Sequence, residues 1–497
     1  MGSRAQVGPG PQAPFSPDPT IESFSASANA IPTTAVAASR KLKRKLNALG
    51  ESNSPSPAPA QIEPTTVAQA PALVPTTMKT VDEVDLFYSI RNHPVNKSGF
   101  RYIPCSPCPS SNPLYPMYRV IKPSPGVGVR FSWEDRSPFV YITADATSVT
   151  TDKGFRAARA NCPMRTGCWY FEVVVERGGG DDVAGSPAKE AHVRIGVGRR
   201  ESALGAPVGY DAYSYGIRDK TGEKVTLSQP KSYGPALKTG DVIGVLLDLP
   251  ERVLPSPEDS DHPAHIVRKR IPILYKGQLY FEALEYPVSQ EMSDLVDAAA
   301  ENDSLAKKKQ VRQKAAAPGT KAHSAGSKGP KAPRHLPVLS GSSLSFFRNG
   351  ENMHPESLPA FCDLYDWLPL RQHRSDVMKK KPGRTLKPLD DRENHHDDGT
   401  MGYYPFVSVY GGGIVKLNAG PVFRCPPNTD IHDWRPLSER YDEYFNEVAE
   451  QDDIDEHKMQ EKVMLDQQVG ATAKHQAKPH ISVDHTSIEQ IAPQSIV

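Results

Sequence analysis

The chain has 497 residues, more than one compact core accommodates, yet 48 of them are proline and only 38% are hydrophobic. Apolar residues must therefore be concentrated in part of the chain, and the rest is predicted to be unfolded. The formal net charge of +1 excludes a global attraction to nucleic acid or acidic partners, so any such attraction requires a local patch. No run of 18 apolar residues occurs, so the sequence predicts no membrane-spanning helix. The six cysteines have no regular spacing and no secretory signal accompanies them, which predicts reduced thiols in an intracellular protein.

Residues 1–80 are dominated by proline, alanine, serine and threonine without any periodicity, and are predicted to be a disordered tail. One basic cluster interrupts this tail, in the stretch SRKLKRKL. It is either a solvated basic run or a nuclear localisation signal, and its accessibility in a flexible tail favours the signal and a nuclear protein. Its charged residues are Arg40, Lys41, Lys43, Arg44 and Lys45.

Residues 81–125 combine aromatic residues with turn formers, which predicts an extended lead-in that packs on the following domain. Cys105 and Cys108 within it have the spacing of zinc ligands. A structural zinc needs four ligands and no second pair lies nearby, so no metal site is predicted.

From residue 126 to 427, strand-like runs recur about every ten residues, separated by Gly, Pro and Asn turns. In GCWYFEVVVERGGG, for example, Trp169, Phe171, Val173 and Val175 alternate with other residues before three glycines end the run. Many short strands without helical patterns between them predict an all-β fold, an antiparallel β-sandwich.

Two polar segments interrupt this rhythm, at about 288–340 and 371–400. They are predicted to be disordered inserts in hairpin loops, because a longer loop adds little closure entropy. The first holds nine basic residues between Lys307 and Arg334, which leaves open non-specific contact with nucleosomal DNA, a solubility tract or a second nuclear signal. The second ends with His395 and His396 beside two aspartates, a pattern that suggests metal binding. In so polar a segment a solvated tract is the favoured interpretation.

A helix is predicted over 434–468, because apolar residues recur there at helical spacing behind Pro436. Its apolar stripe consists of Leu437, Tyr441, Tyr444, Phe445 and Val448. The stripe either packs on the sheet of its own chain or fits the groove of a partner, and the acidic flanks and polar tail favour the partner. Residues 469–497 are predicted to be a disordered tail.

The sequence carries none of the motifs that mark an active site. We find no G-x-S-x-G, no phosphate-binding G-x-x-x-x-G-K-[ST] and no H-E-x-x-H. A sandwich without such a motif is predicted to bind other molecules rather than to act as an enzyme, and no cofactor is expected.

The sandwich region resembles the SPRY domain in the stretches GCWYFEVVVE, VRIGVGRR, TGDVIGVLLDLPE and LSFFRNGE. It is similar, more narrowly, to the Ash-two/Bre-two family of COMPASS subunits in its shorter fungal form. The stretches that carry this second resemblance are KGFRAARAN, PVGYDAYSYGIRDKTGEK and NAGPVFRCPP, followed directly by a helix. The resemblance covers about residues 125–465.

This resemblance implies a non-catalytic subunit of a complex that methylates lysine 4 of histone H3. In the family, the SPRY domain binds an acidic segment of a β-propeller subunit and the C-terminal helix binds a Dpy-thirty/Sdc-type helical dimer. The alternative is an SPRY adaptor of a different complex, such as a ubiquitin-ligase substrate adaptor or a Ran-binding-like scaffold.

Motif matching carries the family's basic pocket onto Arg159 and Arg194, since arginines make charge-assisted contacts with carboxylates. Arg194 lies on a predicted strand, where a guanidinium that faces the sheet is costly without a partner. Arg156, Arg165 and Tyr213 lie nearby and are further candidates. For each arginine the alternative is a side chain that is solvated or paired within its own chain.

Overall fold

The computed structural model describes residues 71–76, 86–97, 99–109, 116–122, 127–183, 188–253, 255–256, 258–259, 261–301, 336–370, 393–431 and 433–476. All of them lie in one unit of the chain, residues 65–497. The predicted nuclear signal (Arg40 to Lys45), the basic residues between Lys307 and Arg334, and the tail beyond residue 476 lie outside the described residues.

Strands dominate the described part of the chain. They are β1 Leu73–Pro75, β2 Tyr88–Ile90, β3 Phe100–Pro107, β4 Tyr118–Val120, β5 Phe131–Arg136, β6 Tyr141–Ile142, β7 Ser148–Thr150, β8 Arg156–Ala160, β9 Gly167–Arg177, β10 Asp181–Asp182, β11 Glu190–Gly198, β12 Ser214–Arg218, β13 Lys224–Thr226, β14 Gln229–Lys231, β15 Val242–Leu249, β16 Arg270–Tyr275, β17 Gln278–Leu284, β18 Ser343–Arg348, β19 Glu351–Asn352, β20 Phe361–Cys362, β21 Tyr404–Tyr410, β22 Ile414–Asn418 and β23 Arg435–Pro436. Two helices accompany them, α1 over 290–301 and α2 over Leu437–Gln476.

Two sheets, antiparallel except for the β23–β9 pair, form the predicted sandwich. The first has the strand order β1-β2-β6-β7-β22-β9-β15-β18-β19, with β20 beside β18 and β23 beside β9. The second has the order β14-β13-β12-β11-β21-β8-β5, with β10 beside β11. Their inner faces meet in one large apolar core, and the SPRY-type sandwich inferred from the sequence is confirmed.

Strand β9 is buried on both of its faces. Phe171, Val173 and Val175 point into the main core, whereas Tyr170 belongs to a second cluster with Phe423 and Trp434. This second cluster exists because the segment after β22 returns over the outer face of the sheet and ends in β23, which pairs with β9 in parallel. The strand is therefore central to the fold rather than an edge that meets solvent.

A third, four-stranded sheet, β16-β17-β3-β4, accompanies the sandwich. Strands β3 and β4 come from the lead-in, and the run IPILYKGQLYF forms the hairpin β16–β17 instead of two sandwich strands. The lead-in therefore builds a sheet of its own with this hairpin, which local periodicity alone does not reveal, because a strand pattern does not name its partner.

The ends of both predicted inserts belong to the fold. Helix α1 buries Met292 against Ala212 and Tyr213, and Leu339 joins the main core. In the second segment, Asp397 and Asp398 are buried instead of solvated, so the solvated interpretation is wrong for 393–400. Each carboxylate meets a buried or half-buried arginine, which explains why so polar a stretch is held inside.

Candidate functional site

Strands β8, β21 and β11 bring the two principal arginines onto the same face of the second sheet. Ser408 of β21 pairs with Arg194 on one side and with Ala157 on the other, and Phe406 pairs with Arg159. Because side chains alternate along a strand, both arginines face away from the core-facing valines of these strands. Arg159 and Arg194 therefore lie on the same sheet face, but the groups that contact their side chains differ.

Arg159 is an internal residue with only 2% of its surface exposed. Its Nε and Nη2 atoms donate to the two carboxylate oxygens of Asp135, at 2.9 and 3.1 Å, and its Nη1 donates to the carbonyl oxygens of Arg199 and Ser202. Burial alone raises the pKa of Asp135, but Arg159 and Arg200 lower it to about 2, so the pair is ionised. The expectation that Arg159 grips a partner's carboxylate is therefore corrected to a pairing within the chain.

Arg165 and Tyr213 are also engaged within the fold. Arg165 forms an ion pair with the buried Asp397, and its guanidinium lies 4.9 Å from the ring centre of Trp367. The Tyr213 hydroxyl accepts a hydrogen bond from the Ser289 backbone N–H at 2.9 Å, directly before helix α1. The Tyr213 hydroxyl is bonded inside the fold and Arg165, although 20% exposed, is held by Asp397, which corrects both candidate assignments.

Arg194 lies against the ring of Phe155, and Arg156 follows Phe155 in the chain as the first residue of β8. The Arg194 guanidinium lies 4.9 Å from the centre of this ring, and Arg156 donates to the Phe155 carbonyl oxygen at 2.7 Å. Arg156 also lies 5.3 Å from the ring centre of Phe139, which is 51% exposed, and Tyr410 stacks at 5.1 Å on Phe155. We name this group, Phe139, Phe155, Arg156, Arg194 and Tyr410, the arginine patch.

The electrostatics of the arginine patch favour an anionic ligand. Burial lowers the pKa of Arg156, and within the described residues no carboxylate offsets this effect. A carboxylate brought by another molecule would restore the lost stabilisation of the charge. The aromatic rings beside the two guanidinium groups hold them in place and exclude part of the solvent, which strengthens such a contact.

The apolar stripe of α2 packs on its own chain. Leu437 is fully buried and Tyr441 is 5% exposed, both within the main core, and Tyr444 and Phe445 pack against it. Val448 is buried as well. The partner-facing interpretation of this stripe is therefore wrong. The stripe packs on the sandwich because β23, which directly precedes α2, pairs with β9 and so places the start of the helix on the sandwich.

An ionic clamp fixes the middle of α2 to the four-stranded sheet. The Asp452 carboxylate accepts hydrogen bonds from Arg268 at 2.6 Å, from Arg270 at 2.7 Å and from the backbone N–H of Val120 at 2.8 Å. Arg119 of β4 pairs with Glu456 through its Nε at 2.9 Å. We define the ionic clamp as Arg119, Arg268 and Arg270 with Asp452 and Glu456, and it positions the rest of the helix.

Beyond the ionic clamp, α2 exposes large apolar side chains. Met459 is 49% exposed, Met464 62% and Leu465 59%, and Ile454 within the clamp region is 45% exposed. The adjacent Met464 and Leu465 leave apolar surface on this half of the helix open to solvent. These residues lie beyond the stripe that the sequence singled out.

Sequence reasoning also missed a buried charge cluster beside Arg159. It consists of Arg101, Arg159, Arg200, Asp135, Glu285 and Asp398. A signal for it exists, because Arg159 stands in β8 among three alanines, Ala157, Ala158 and Ala160, that the structure buries almost completely. An arginine among buried alanines requires an acidic partner inside the fold.

The described part of the chain holds no group of three or more His, Cys, Asp or Glu residues arranged to bind a metal. None of its helices combines the length and apolar character needed to cross a membrane.

Comparison with known proteins identifies the sandwich. Residues 168–255 match the SPRY domain family model. The Set1 complex component ash2 of Schizosaccharomyces pombe is 38% identical over 378 residues, covering 74% of this chain and 47% of that protein. The COMPASS component cclA of Colletotrichum higginsianum is 32% identical over 425 residues, covering 74% of this chain and 68% of that protein. The COMPASS component BRE2 of Saccharomyces cerevisiae is 27% identical over 436 residues, covering 67% and 79%.

The match to ash2 spans only about half the length of that relative, whereas the matches to cclA and BRE2 span most of theirs. The aligned stretches include the SPRY strands and extend well beyond them on this chain, since the SPRY model accounts for 168–255 only. The chain belongs to the Ash2/Bre2 family of SPRY-domain COMPASS components.

Proposed function

We propose that this chain is a non-catalytic scaffold subunit of a nuclear complex that methylates lysine 4 of histone H3. The observation that carries the proposal is the similarity, over about three quarters of the chain, to proteins named as Set1 complex and COMPASS components. The sandwich architecture supports a binding role, because it offers surfaces of fixed shape.

The arginine patch is the proposed site for an acidic segment of the β-propeller subunit. Arg194 lies against the ring of Phe155 and Arg156 donates to the Phe155 carbonyl oxygen, so an acidic segment that passes Phe155 can pair with these guanidinium groups. Phe139, half exposed beside Arg156, offers an apolar contact next to the charges. Arg159 supports the site from inside, because its pairing with Asp135 fixes strand β8.

The distal half of α2 is the proposed site for the Dpy-thirty/Sdc-type dimer. The proximal stripe is occupied by the sandwich, whereas Met459, Met464 and Leu465 remain exposed. A helix-in-groove contact needs a helix whose apolar side chains are accessible over several turns, and this half provides them. The ionic clamp holds the helix before the partner arrives, which reduces the ordering cost of binding.

The test is affinity purification of the tagged full-length chain followed by mass spectrometry of its partners. We expect a SET-domain methyltransferase, β-propeller subunits and a small helical dimer. Recovery of cullin or RING machinery, or of Ran-pathway proteins, in place of these would instead support the alternative of an SPRY adaptor in a different complex.

Removal of residues 40–45 is expected to shift the chain from the nucleus to the cytoplasm, as fluorescence imaging would show.

Contact between the basic insert and nucleosomal DNA stays a prediction. Phosphate contacts release counterions, so they make binding steeply salt-dependent. Nucleosome binding measured at several salt concentrations, with and without residues 302–335, tests it. An unchanged salt slope after the deletion would remove the insert from the interface.

A further inference from the structure

A groove of about 360 Å³ lies between the first half of α2 and the sandwich. On the sandwich side it is lined by Trp169 at the start of β9 and by Ile266. The helix contributes Ile454, which is 45% exposed. Apolar side chains from both elements therefore take part in the wall of this groove.

Three glutamates of α2 line the same groove at helical spacing. Glu443, Glu447 and Glu450 are four and three residues apart, which places them on one face of the helix. Like charges at these spacings repel one another, and each carboxylate can accept more than one hydrogen bond. We name these three residues the glutamate stripe.

Two members of the glutamate stripe have partners within the chain. Arg440 donates to both oxygens of Glu447, at 2.6 and 2.8 Å. Arg435 pairs with Glu443, but it also pairs with Glu439 one turn earlier. One arginine is thus shared between two carboxylates, which leaves an excess of negative charge on this side of the groove.

The groove stays negative when the remaining ion pairs are counted. Arg165, which also lines it, is neutralised by the buried Asp397. Glu450 is exposed and forms no ion pair within the described residues. Among the lining side chains and their ion-pair partners, three arginines therefore stand against five carboxylates. The groove can accept cationic side chains from elsewhere.

The chain leaves and re-enters the described fold beside this groove, at the two ends of residues 371–392. Trp367, shortly before the segment, lies 4.9 Å from the guanidinium of Arg165. After the segment, Asp397 pairs with the same arginine, and its carbonyl oxygen accepts a hydrogen bond at 2.8 Å from the residue that follows Ile266. The segment extends up to roughly 70 Å, so its length lets any part of it reach the groove.

The charge of this segment complements that of the groove. Residues 371–392 hold eight lysines and arginines against three aspartates, and four of the basic residues lie within 379–384. The basic insert between 307 and 334 is a less suitable occupant, because it leaves the fold at α1. There the Ala299 carbonyl oxygen accepts a hydrogen bond from Gln229 of the edge strand β14.

We propose that the basic run 379–384 lies along the glutamate stripe and pairs with Glu450 and with Glu447, which is 47% exposed. The apolar stems of its lysines pack against Ile266 and Ile454, and the pairing relieves the repulsion among the glutamates. Because the ion pairs are exposed, the contact is modest and weakens as salt increases. It is a contact within one chain and does not depend on the proposed function.

The test is carbodiimide crosslinking of the full-length chain, which joins a carboxylate directly to a lysine amine in contact with it, followed by mass spectrometry. A mixture of isotope-labelled and unlabelled chains separates links within one chain from links between copies. We expect links within one chain from Lys379, Lys380 or Lys381 to Glu447 or Glu450. These links should become fewer as salt increases.

A charge reversal separates the glutamate stripe from general effects. Glu450→Lys removes a carboxylate that has no ion pair in the described fold. Trypsin cleavage at 379–381 is then expected to become about two- to fivefold faster, as the loss of one exposed ion pair allows. Asp442→Lys, the same reversal at an exposed position of α2 outside the groove, is the matched control and should be cleaved like the wild type.

Three outcomes would overturn the proposal. Links from the glutamate stripe only to lysines between 307 and 331 would assign the groove to the other basic insert. Links only between copies would assign it to a second chain. The third outcome is the absence of any lysine link to the stripe, with equal cleavage of the Glu450→Lys and Asp442→Lys variants. If Glu450→Lys does not fold, the crosslinks of the wild type decide.

Discussion

The arginine-bearing face of the second sheet and helix α2 each have one part that packs within the fold and another part that is more exposed to solvent. On the second sheet, Arg159 is buried in an ion pair, whereas Arg194, on the same face, is half-buried beside Phe155. On α2, Leu437 is buried in the sandwich core, whereas Leu465 is 59% exposed. Identical residue types therefore serve opposite roles, and their distance from the core decides which role each has.

The largest expected effect separates the two halves of α2. Leu437→Ala removes a fully buried side chain and should lower the free energy of unfolding by about 2–5 kcal/mol. The matched variant Leu465→Ala changes an exposed side chain and should alter it by less than about 0.5 kcal/mol. Chemical denaturation of both variants provides the comparison. Equal losses would mean that the distal half also packs on the fold.

The ionic clamp marks the boundary between these halves. Asp452→Ala leaves the buried Arg268 and Arg270 without their main partner, and should cost about 3 kcal/mol of local stability. The effect should appear as faster amide exchange in α2 around residue 452, with strand β9 unchanged. Asp453→Ala, which removes a carboxylate that is 55% exposed, is the control and should cost less than about 1 kcal/mol. A uniform acceleration across the sandwich would contradict a local clamp.

The inner half of the arginine face should give a pH dependence. The pKa of Asp135 is lowered to about 2, below its value of about 3.9 in an unfolded chain. Because the pKa of Asp135 is lower in the folded chain, its carboxylate stabilises the fold fully above the pKa of the unfolded chain. This stability is lost as the pH falls from about 4 through about 2. The contribution is about 2 kcal/mol.

Denaturation curves of the wild type and of Asp135→Asn between pH 5 and pH 2 isolate this contribution. The difference in unfolding free energy between the two proteins should shrink as the pH falls. A constant difference across this range would show that the Asp135 carboxylate does not change its charge on unfolding.

The outer half of the arginine face should affect binding alone. Arg194→Ala is expected to weaken the purified β-propeller subunit's affinity about tenfold, equivalent to about 1.4 kcal/mol, with Tm almost unchanged. Arg348→Ala, which changes an arginine of β18 in the other sheet that pairs with Asp241, is the matched control and should bind like the wild type. Isothermal titration calorimetry measures both. Equal affinities of the two variants would remove Arg194 from the interface.

The fold was largely predictable because period-two alternation survives in strands such as β9, where apolar residues mark the core face. The pairing partners of the strands were not predictable from the sequence. The third sheet, which the lead-in forms with the run before residue 288, was therefore not expected. Long-range pairings depend on tertiary contacts that no local pattern encodes.

The sequence indicated the residue types of the candidate sites, but it did not show how deeply each side chain is buried. The stripe from Leu437 to Val448 has the same helical spacing whether it meets a partner or its own sheet, and only the position of β23 decides. Arg159 and Arg194 likewise share a charged side chain on a strand, but Asp135 lies close to only one of them. The sequence position of Asp135, 24 residues before Arg159, gave no sign of that proximity.

The most direct measurement is the quantification of partners that purify with three full-length proteins: the wild type, an Arg156→Ala/Arg194→Ala variant and a Met464→Asp/Leu465→Asp variant. The wild type should recover a SET-domain protein, β-propeller subunits and a small helical dimer. The arginine variant should lose the β-propeller contact, and the helix variant should lose only the dimer. Retention of every partner by both variants would contradict binding through the outer surfaces.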